Sequence, residues 1–399
     1  MNNRQSSVSS NNESWSGRIA LMIAHCAGMV DLVALPVWIG TLMSRYGMAP
    51  QQAGTLVTLF LLGAVASSLF CAPRFQRLDK RAVATAGFAV SALAFLGLAT
   101  TSEYTAMAGL HGLAGIAAGS ALSVTHGTAG LSANPHRMFA LCGMALGVFA
   151  IVFLGTLPGI VAANGGTALF IALAVVMLVA ACTSAVMFPR GASRAANAAA
   201  SPHSGAAHGA AQPKPVSSAV WFAALGIGCM GLVQAMMFSF LERIGADRGY
   251  TTAAVTGVLI ALGFVNLFPA PLAALLEKRW PARLVVLAGP VLQAALALTI
   301  AHGGSFASYA GAGAVFAAVM IFTHTFAFGL VAQLEPGGRA LSATPAMLMV
   351  GAAIGPVLGG TLVQQAGYGM LGTAAVVIAI IAVVCFARAG RQFIVRSLP

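Results

Sequence analysis

Asp31 is a carboxylate in an apolar place. It lies within "IAHCAGMVDLVALPVW", Ile23 to Trp38, inside a longer apolar run from Ile19 to Met43. That run is long enough to cross a bilayer as one helix, since crossing takes ~20 predominantly apolar residues. An Asp at the centre of such a helix is unfavourable by roughly 2.5–3.5 kcal/mol. The other acidic residues read as loop residues: Glu13, Asp79, Glu277 and Glu335 on one side of the membrane, Glu103, Glu242 and Asp247 on the other. No Lys or Arg occupies a mid-span position to neutralise Asp31. A carboxyl held this way can take a proton when water reaches it from one side and release it to the other. The plainer reading is a packing element hydrogen-bonded to neighbouring helices.

Histidine is the other candidate for proton exchange near neutral pH. His25, His111, His126 and His324 all fall in apolar runs. His25 is six residues from Asp31, about 120° around a straight helix, so the two do not share a face. Met22, His25, Cys26 and Met29 do share one, at i, i+3, i+4 and i+7. Thioether, thiolate and imidazole together suit Cu(I), which makes a soft metal an alternative cargo. The six cysteines have neither zinc-site nor disulfide spacing and read as small buried apolar residues. No cofactor is implied.

The elements that must hold these groups are membrane helices. The chain of 399 residues is 59% hydrophobic and 7% charged, against ~25% charged in a soluble domain. Helix-length windows give twelve spans, beginning near Ile19, Ala53, Ala82, Ala106, Met138, Thr167, Ser218, Thr252, Leu284, Ala307, Ala340 and Met370. The net charge of +12 raises the possibility of a nucleic-acid partner, but its placement argues against one. With the N-terminus inside, all Lys and Arg except Arg45, Arg243 and Arg248 fall on the cytoplasmic side, which places both termini in the cytoplasm. The expected units are a tail over 1–18, six spans over 19–188, a linker over 189–217, six spans over 218–387 and a tail over 388–399. The linker is rich in Ala, Ser, Gly and Pro and offers no apolar face to bury.

The halves repeat. "LDKR" (Leu78–Arg81) is matched by "LEKR" (Leu276–Arg279), and "THG" at His126 by "THT" at His324. Anchoring Gly54 on Gly257 sets Asp31 opposite Gln234. Twelve spans, a central linker and duplicated halves resemble the major facilitator superfamily over nearly the whole chain. "GAAIGPVLGG" in span eleven is similar to the family's antiporter run, normally found in span five, where this chain carries "GTLPG". Its residues Gly351, Gly355, Pro356, Gly359 and Gly360 are expected to pack helices closely. "APRFQRLDKR" resembles the family's cytoplasmic gate motif through Arg77, Lys80 and Arg81, with Asp79 where a Gly is usual. "HGLAG" resembles the span-four segment, with His111 where an Arg is usual.

The resemblance implies an all-α integral membrane protein: twelve transmembrane helices in two pseudo-symmetric six-helix bundles, alternating access around a central cavity. The cavity candidates are His111, His126, Gln234, Asn266, Thr323, His324 and Gln364. The expected function is secondary transport, not catalysis. A small organic solute would move across the cytoplasmic (inner) membrane, driven by protons through Asp31, with efflux favoured and the monomer sufficient. No phosphate-binding loop is present to power it otherwise. A non-transporting sensor and a membrane-embedded acyltransferase are the readings from other classes.

Overall fold

The computed structural model describes residues 14–132, 134–189, 217–277, 279–334 and 344–397. Most of the expected linker and residues 1–13 of the expected N-terminal tail lie outside them. The helices are α1 (Trp15–Gly28), α2 (Val30–Arg45), α3 (Pro50–Cys71), α4 (Lys80–Leu98), α5 (Tyr104–Gly130), α6 (Pro135–Asn164) and α7 (Thr167–Met187). The second half has α8 (Ser218–Asp247), α9 (Thr252–Val265), α10 (Pro269–Leu276), α11 (Ala282–His302), α12 (Phe306–Leu334), α13 (Thr344–Ala366) and α14 (Gly369–Ser397). Among the described residues twelve segments are long and apolar enough to cross a membrane, the first formed by α1 with α2 and the eighth by α9 with α10. Only an internally hydrogen-bonded helix can carry its backbone through lipid unless a sheet closes on itself. The last helix runs on to Ser397, past the end of the twelfth apolar segment at Gly390.

Local chemistry sets the ends. Asp79 caps α4 by accepting from the N–H groups of Arg81 and Ala82, each at 3.1 Å. Glu103 caps α5, accepting from Ala106 at 2.5 Å and Thr105 at 2.8 Å. These bonds hold the Glu103 carboxyl below the usual carboxylate range. Gly47, Gly165, Gly249 and Gly367 have positive φ and turn the chain at one end of the molecule, the far end. Arg74, Arg77, Lys80, Arg81, Arg279 and Arg283 lie at the opposite, basic end. Five cysteines are buried as expected, whereas Cys182 is exposed.

The two halves are in one register. The starts of α3 and α9, α4 and α11, α5 and α12, and α7 and α14 are each 202 residues apart, as are the ends of α2 and α8 and of α6 and α13. The turn glycines pair at the same spacing, Gly47 with Gly249 and Gly165 with Gly367. This register corrects the expected matches. Asp31 falls opposite Val233 and not Gln234, and His126 opposite Phe328 and not His324. Short motifs in Ala- and Gly-rich sequence slide by a turn; helix ends do not.

The halves meet along two equivalent seams, α3 with α13 and α9 with α6, and between α2 and α8. In one, the Val357 N–H donates to Thr58 Oγ1 at 3.2 Å; at the equivalent place in the other, Gly155 packs against Ile260. Glycine permits the approach. A Cβ on Gly54 would overlap the Pro356 carbonyl, and one on Gly360 the Pro50 carbonyl. Gly351, Gly355 and Gly359, spaced by four, turn a single face of α13 onto α8, against Gly228, Ala235 and Met236.

Candidate functional site

The first span is not the single helix expected. Helix α1 stops at Gly28, Met29 leaves helical geometry (φ −107°, ψ 21°), and α2 begins at Val30. Pro36 explains part of this, because it cannot donate to the Leu32 carbonyl and its ring crowds that carbonyl. Gly28 explains the rest. A Cβ there would stand 2.7 Å from Leu122 Cδ1, so the end of α1 presses directly onto α5.

The break puts Asp31 in the first turn of α2, where unsatisfied N–H groups and the helix dipole favour an acidic side chain. Its carboxyl lies against its own N–H and that of Leu32. The residue is buried, 5% exposed. Among the described residues no Lys or Arg pairs with it; the ion pair formed there is Arg243–Asp247, at the far end.

The break also removes the straight-helix geometry that separated His25 from Asp31. His25 turns instead to α5, where its Nδ1 lies 3.0 Å from His126 Nε2 with ring centroids 5.1 Å apart. Two histidines read singly in the sequence are thus one hydrogen-bonded pair, in which one ring donates and the other accepts.

The remaining histidines differ. His111 is fully buried with both nitrogens engaged: Nε2 accepts from Trp38 Nε1 at 3.2 Å, so Nδ1 donates to the Met107 carbonyl at 2.7 Å. It sits among Trp38, Phe170 and its own helix, inside the first half. His324 donates through Nδ1 to the Met320 carbonyl at 2.9 Å and stacks near Phe328.

The other cavity candidates separate in the same way. Gln234 is half-buried and its Oε1 accepts from Gln293 Nε2 at 3.4 Å, which also donates to the Met230 carbonyl at 3.2 Å. Asn266 ends α9, and its Oδ1 is buried without a partner among the described residues. Thr323 is buried against Gly289 and bonds its own helix at Val319, 2.8 Å, a packing position. Gln364 is exposed at the far end, where it accepts from the Gln51 N–H at 3.3 Å across the halves.

At the basic end the gate residues bind within their own half. Arg81 donates to the Ala185 carbonyl, Lys80 lies over Phe75, and Asp79 is spent as a cap. The Met22, His25, Cys26 and Met29 face does not converge. His25 goes to α5, Cys26 lies beside Cys142 of α6, and Met29 is in the break. Among the described residues no group of three or more His, Cys, Asp or Glu is placed to hold a metal.

Two residues escaped the sequence reading. Gln293 is almost fully buried and binds Gln234. Glu242, read as a loop residue, lies inside α8, which runs on to Asp247. A 30-residue helix exceeds the ~20 needed to cross, and that excess length was the available signal.

A family model described as Major Facilitator Superfamily matches residues 20–337. The chain belongs to the major facilitator superfamily. It is accordingly a membrane transporter, and its fold agrees with solved members. A bacterial homolog to the human lysosomal transporter Spinster, inward-facing and occupied, superposes with a TM-score of 0.72 at 14% identity, covering 94% of this chain and 97% of that one. A D-xylose–proton symporter gives 0.70 at 13% identity, covering 94% and 97%. A mutant of the nucleoside transporter NupG gives 0.70 at 13%, covering 94% and 99%. No curated protein is significantly similar to the chain in sequence.

Proposed function

We propose that this superfamily member is a proton-coupled exporter of a small organic solute, with Asp31 as the coupling acid. The observation that carries this reading is the placement of Asp31: buried, at the break of the first span, with no described cation beside it. An unpaired ionisable group at that depth defaults to function, and broken helices with an exposed N-terminal turn are where membrane transporters bind ions and solutes. As the halves rock, water reaching α2 from one side takes the proton, and water from the other returns it. The units that rock are residues 19–188 and 218–387, with the basic end and both termini cytoplasmic.

The cavity we assign to Gln234, Gln293, Asn266 and His324, with the His25–His126 pair beside α1. His111, Thr323 and Gln364, whose polar atoms are spent within one half or at the far end, belong to packing. Arg77, Asp79, Lys80 and Arg81 form the cytoplasmic gate. No Lys or Arg is available mid-span to bind a multiply charged anion, which supports a neutral, weakly acidic or cationic solute. Neutral solutes are also what the xylose and nucleoside transporters of the same fold are named for. No observation favours soft-metal transport, a sensor or an acyltransferase. The test is a solute-library thermal-shift screen on purified protein, followed by flux of each hit in liposomes. Hit-dependent proton movement opposite to the solute is expected. Solute flux indifferent to a proton gradient would overturn the coupling, and solute and proton moving together would overturn the direction.

A further inference from the structure

The 202-residue register makes Gly40 of α2 and Glu242 of α8 equivalent positions, and these two positions touch. A Cβ on Gly40 would overlap Glu242 Oε2 and stand 2.8 Å from its Cδ. A contact between a residue and its own equivalent lies on the pseudo-twofold axis, as in an isologous interface. One half supplies a carboxyl there; the other supplies the space for it.

One oxygen of that carboxyl has no partner among the described residues: Glu242 Oε2 is buried without a hydrogen bond. Most hydrogen bonds of the charged groups around it go elsewhere. On its own helix, Arg243 pairs with Asp247, Nη2 to Oδ1 at 2.5 Å and Nε to Oδ2 at 3.0 Å, and Asp247 also accepts from Tyr368 Oη at 2.6 Å. Arg248 Nη2 donates to the Ala301 carbonyl at 2.7 Å, while its Nη1 is buried without a hydrogen bond among the described residues. From α12, Tyr309, stacked on Tyr250, donates its hydroxyl to the Leu241 carbonyl at 2.8 Å. From α2, Gly40 presents no side chain, and Arg45 at its end donates to the Ala162 carbonyl at 3.2 Å. A charged carboxylate whose oxygen is buried without a hydrogen-bond donor is unfavourable even with Arg243 next to it on the helix, whereas the neutral acid is tolerated.

We propose that Glu242 is a second proton-binding site that latches the far end: carrying a proton it lets α2 and α8 close on each other, and on losing that proton it draws water into the seam and parts them. The latch rests on the alternating-access reading above and deepens it. Proton binding from the far side closes that side, while Asp31 handles the proton in the interior. The two acids thus stand at different depths on the first span of each half.

Hydrogen–deuterium exchange of the full-length protein in lipid nanodiscs tests this without any solute, with labelling times corrected for the intrinsic pH dependence of exchange. Between about pH 5 and about pH 9, wild-type residues 38–45 and 238–247 should exchange about tenfold faster at the higher pH. Glu242→Gln, of nearly the same shape but unable to ionise, should stay slow at both. Gly40→Ala should be fast at both, because its methyl wedges the seam. A wild-type seam indifferent to pH, a Glu242→Gln seam that responds like wild type, or a Gly40→Ala seam slow at both pH values overturns the latch. The Asp31 reading is tested apart from it. Asp31→Asn should keep the seam response, and an Asp31→Asn protein that also kept proton-driven transport would overturn the Asp31 coupling alone.

Discussion

In the shared register, the first spans of the two halves are built differently. Span one is broken at Met29, carries Asp31 and pairs His25 with His126. Span seven is one unbroken helix, with Gly231, Val233 and Ile227 at the positions of Met29, Asp31 and His25, and Phe328 at that of His126. Pro36, which loosens span one, is answered by Phe238. The duplication has kept the frame and divided the chemistry. In the first spans, Asp31 and His25 are in the first half and Gln234 of the amide pair is in the second, while at the far end the asymmetry reverses, Glu242 against Gly40.

Replacing residues of one half by their counterparts in the other tests that division. The largest effect is expected for Gly351→Phe, which installs the counterpart Phe149. Its side chain would run into the Gly228 backbone, and because a backbone cannot swing aside as a side chain can, a loss of about 3 kcal/mol or more is expected. Failure to recover monodisperse protein from detergent would register it. Trp38→Phe installs the counterpart Phe240 and removes the donor to His111 Nε2. Leaving a buried acceptor unpaired should cost about 1–3 kcal/mol, read as a lowered thermal midpoint. An unchanged midpoint would mean that His111 finds water or another partner.

His126→Phe installs Phe328's side chain and unpairs His25 Nδ1. Loss of one hydrogen bond should lower stability by about 1 kcal/mol. Proton-coupled flux should persist, since Asp31 is untouched; its abolition would move the coupling role to the histidine pair.

The smallest effect belongs to Glu103→Ser, which installs the counterpart Ser305, itself a cap accepting from the Ser308 N–H at 3.2 Å. The carboxyl of Glu103 is held below its ordinary range by the N–H groups of Ala106 and Thr105. Its contribution is therefore complete above the unfolded Glu value of ~4.3 and fades as pH falls through the lowered folded value. The mutant should lose a little stability at neutral pH and almost none in strong acid. A difference that grew on acidification would contradict that assignment of the cap.

The twelve spans were legible in the sequence because lipid imposes a length and a composition on any segment that crosses it. The depth and isolation of Asp31 were legible for the same reason. The break at Met29 was not, although Gly28 and Pro36 flank it, because either residue is tolerated in an intact span. Neither the His25–His126 pair nor the Glu242–Gly40 contact leaves a periodic trace, since each depends on which faces of separate helices meet. Gln234 and His324 were matched to the wrong partners because motif matching slipped by one and four residues in repetitive apolar sequence. The helix ends that hold the register are set by turn glycines and capping groups.

The central claim is that Asp31 carries the transported proton, and the measurement closest to it is proton flux in liposomes holding wild-type or Asp31→Asn protein with a transported solute. Asn keeps the shape and cannot ionise. The wild type should move protons in step with solute, and Asp31→Asn should bind the solute and move no protons with it. Solute-coupled proton flux that survives in Asp31→Asn would contradict the account.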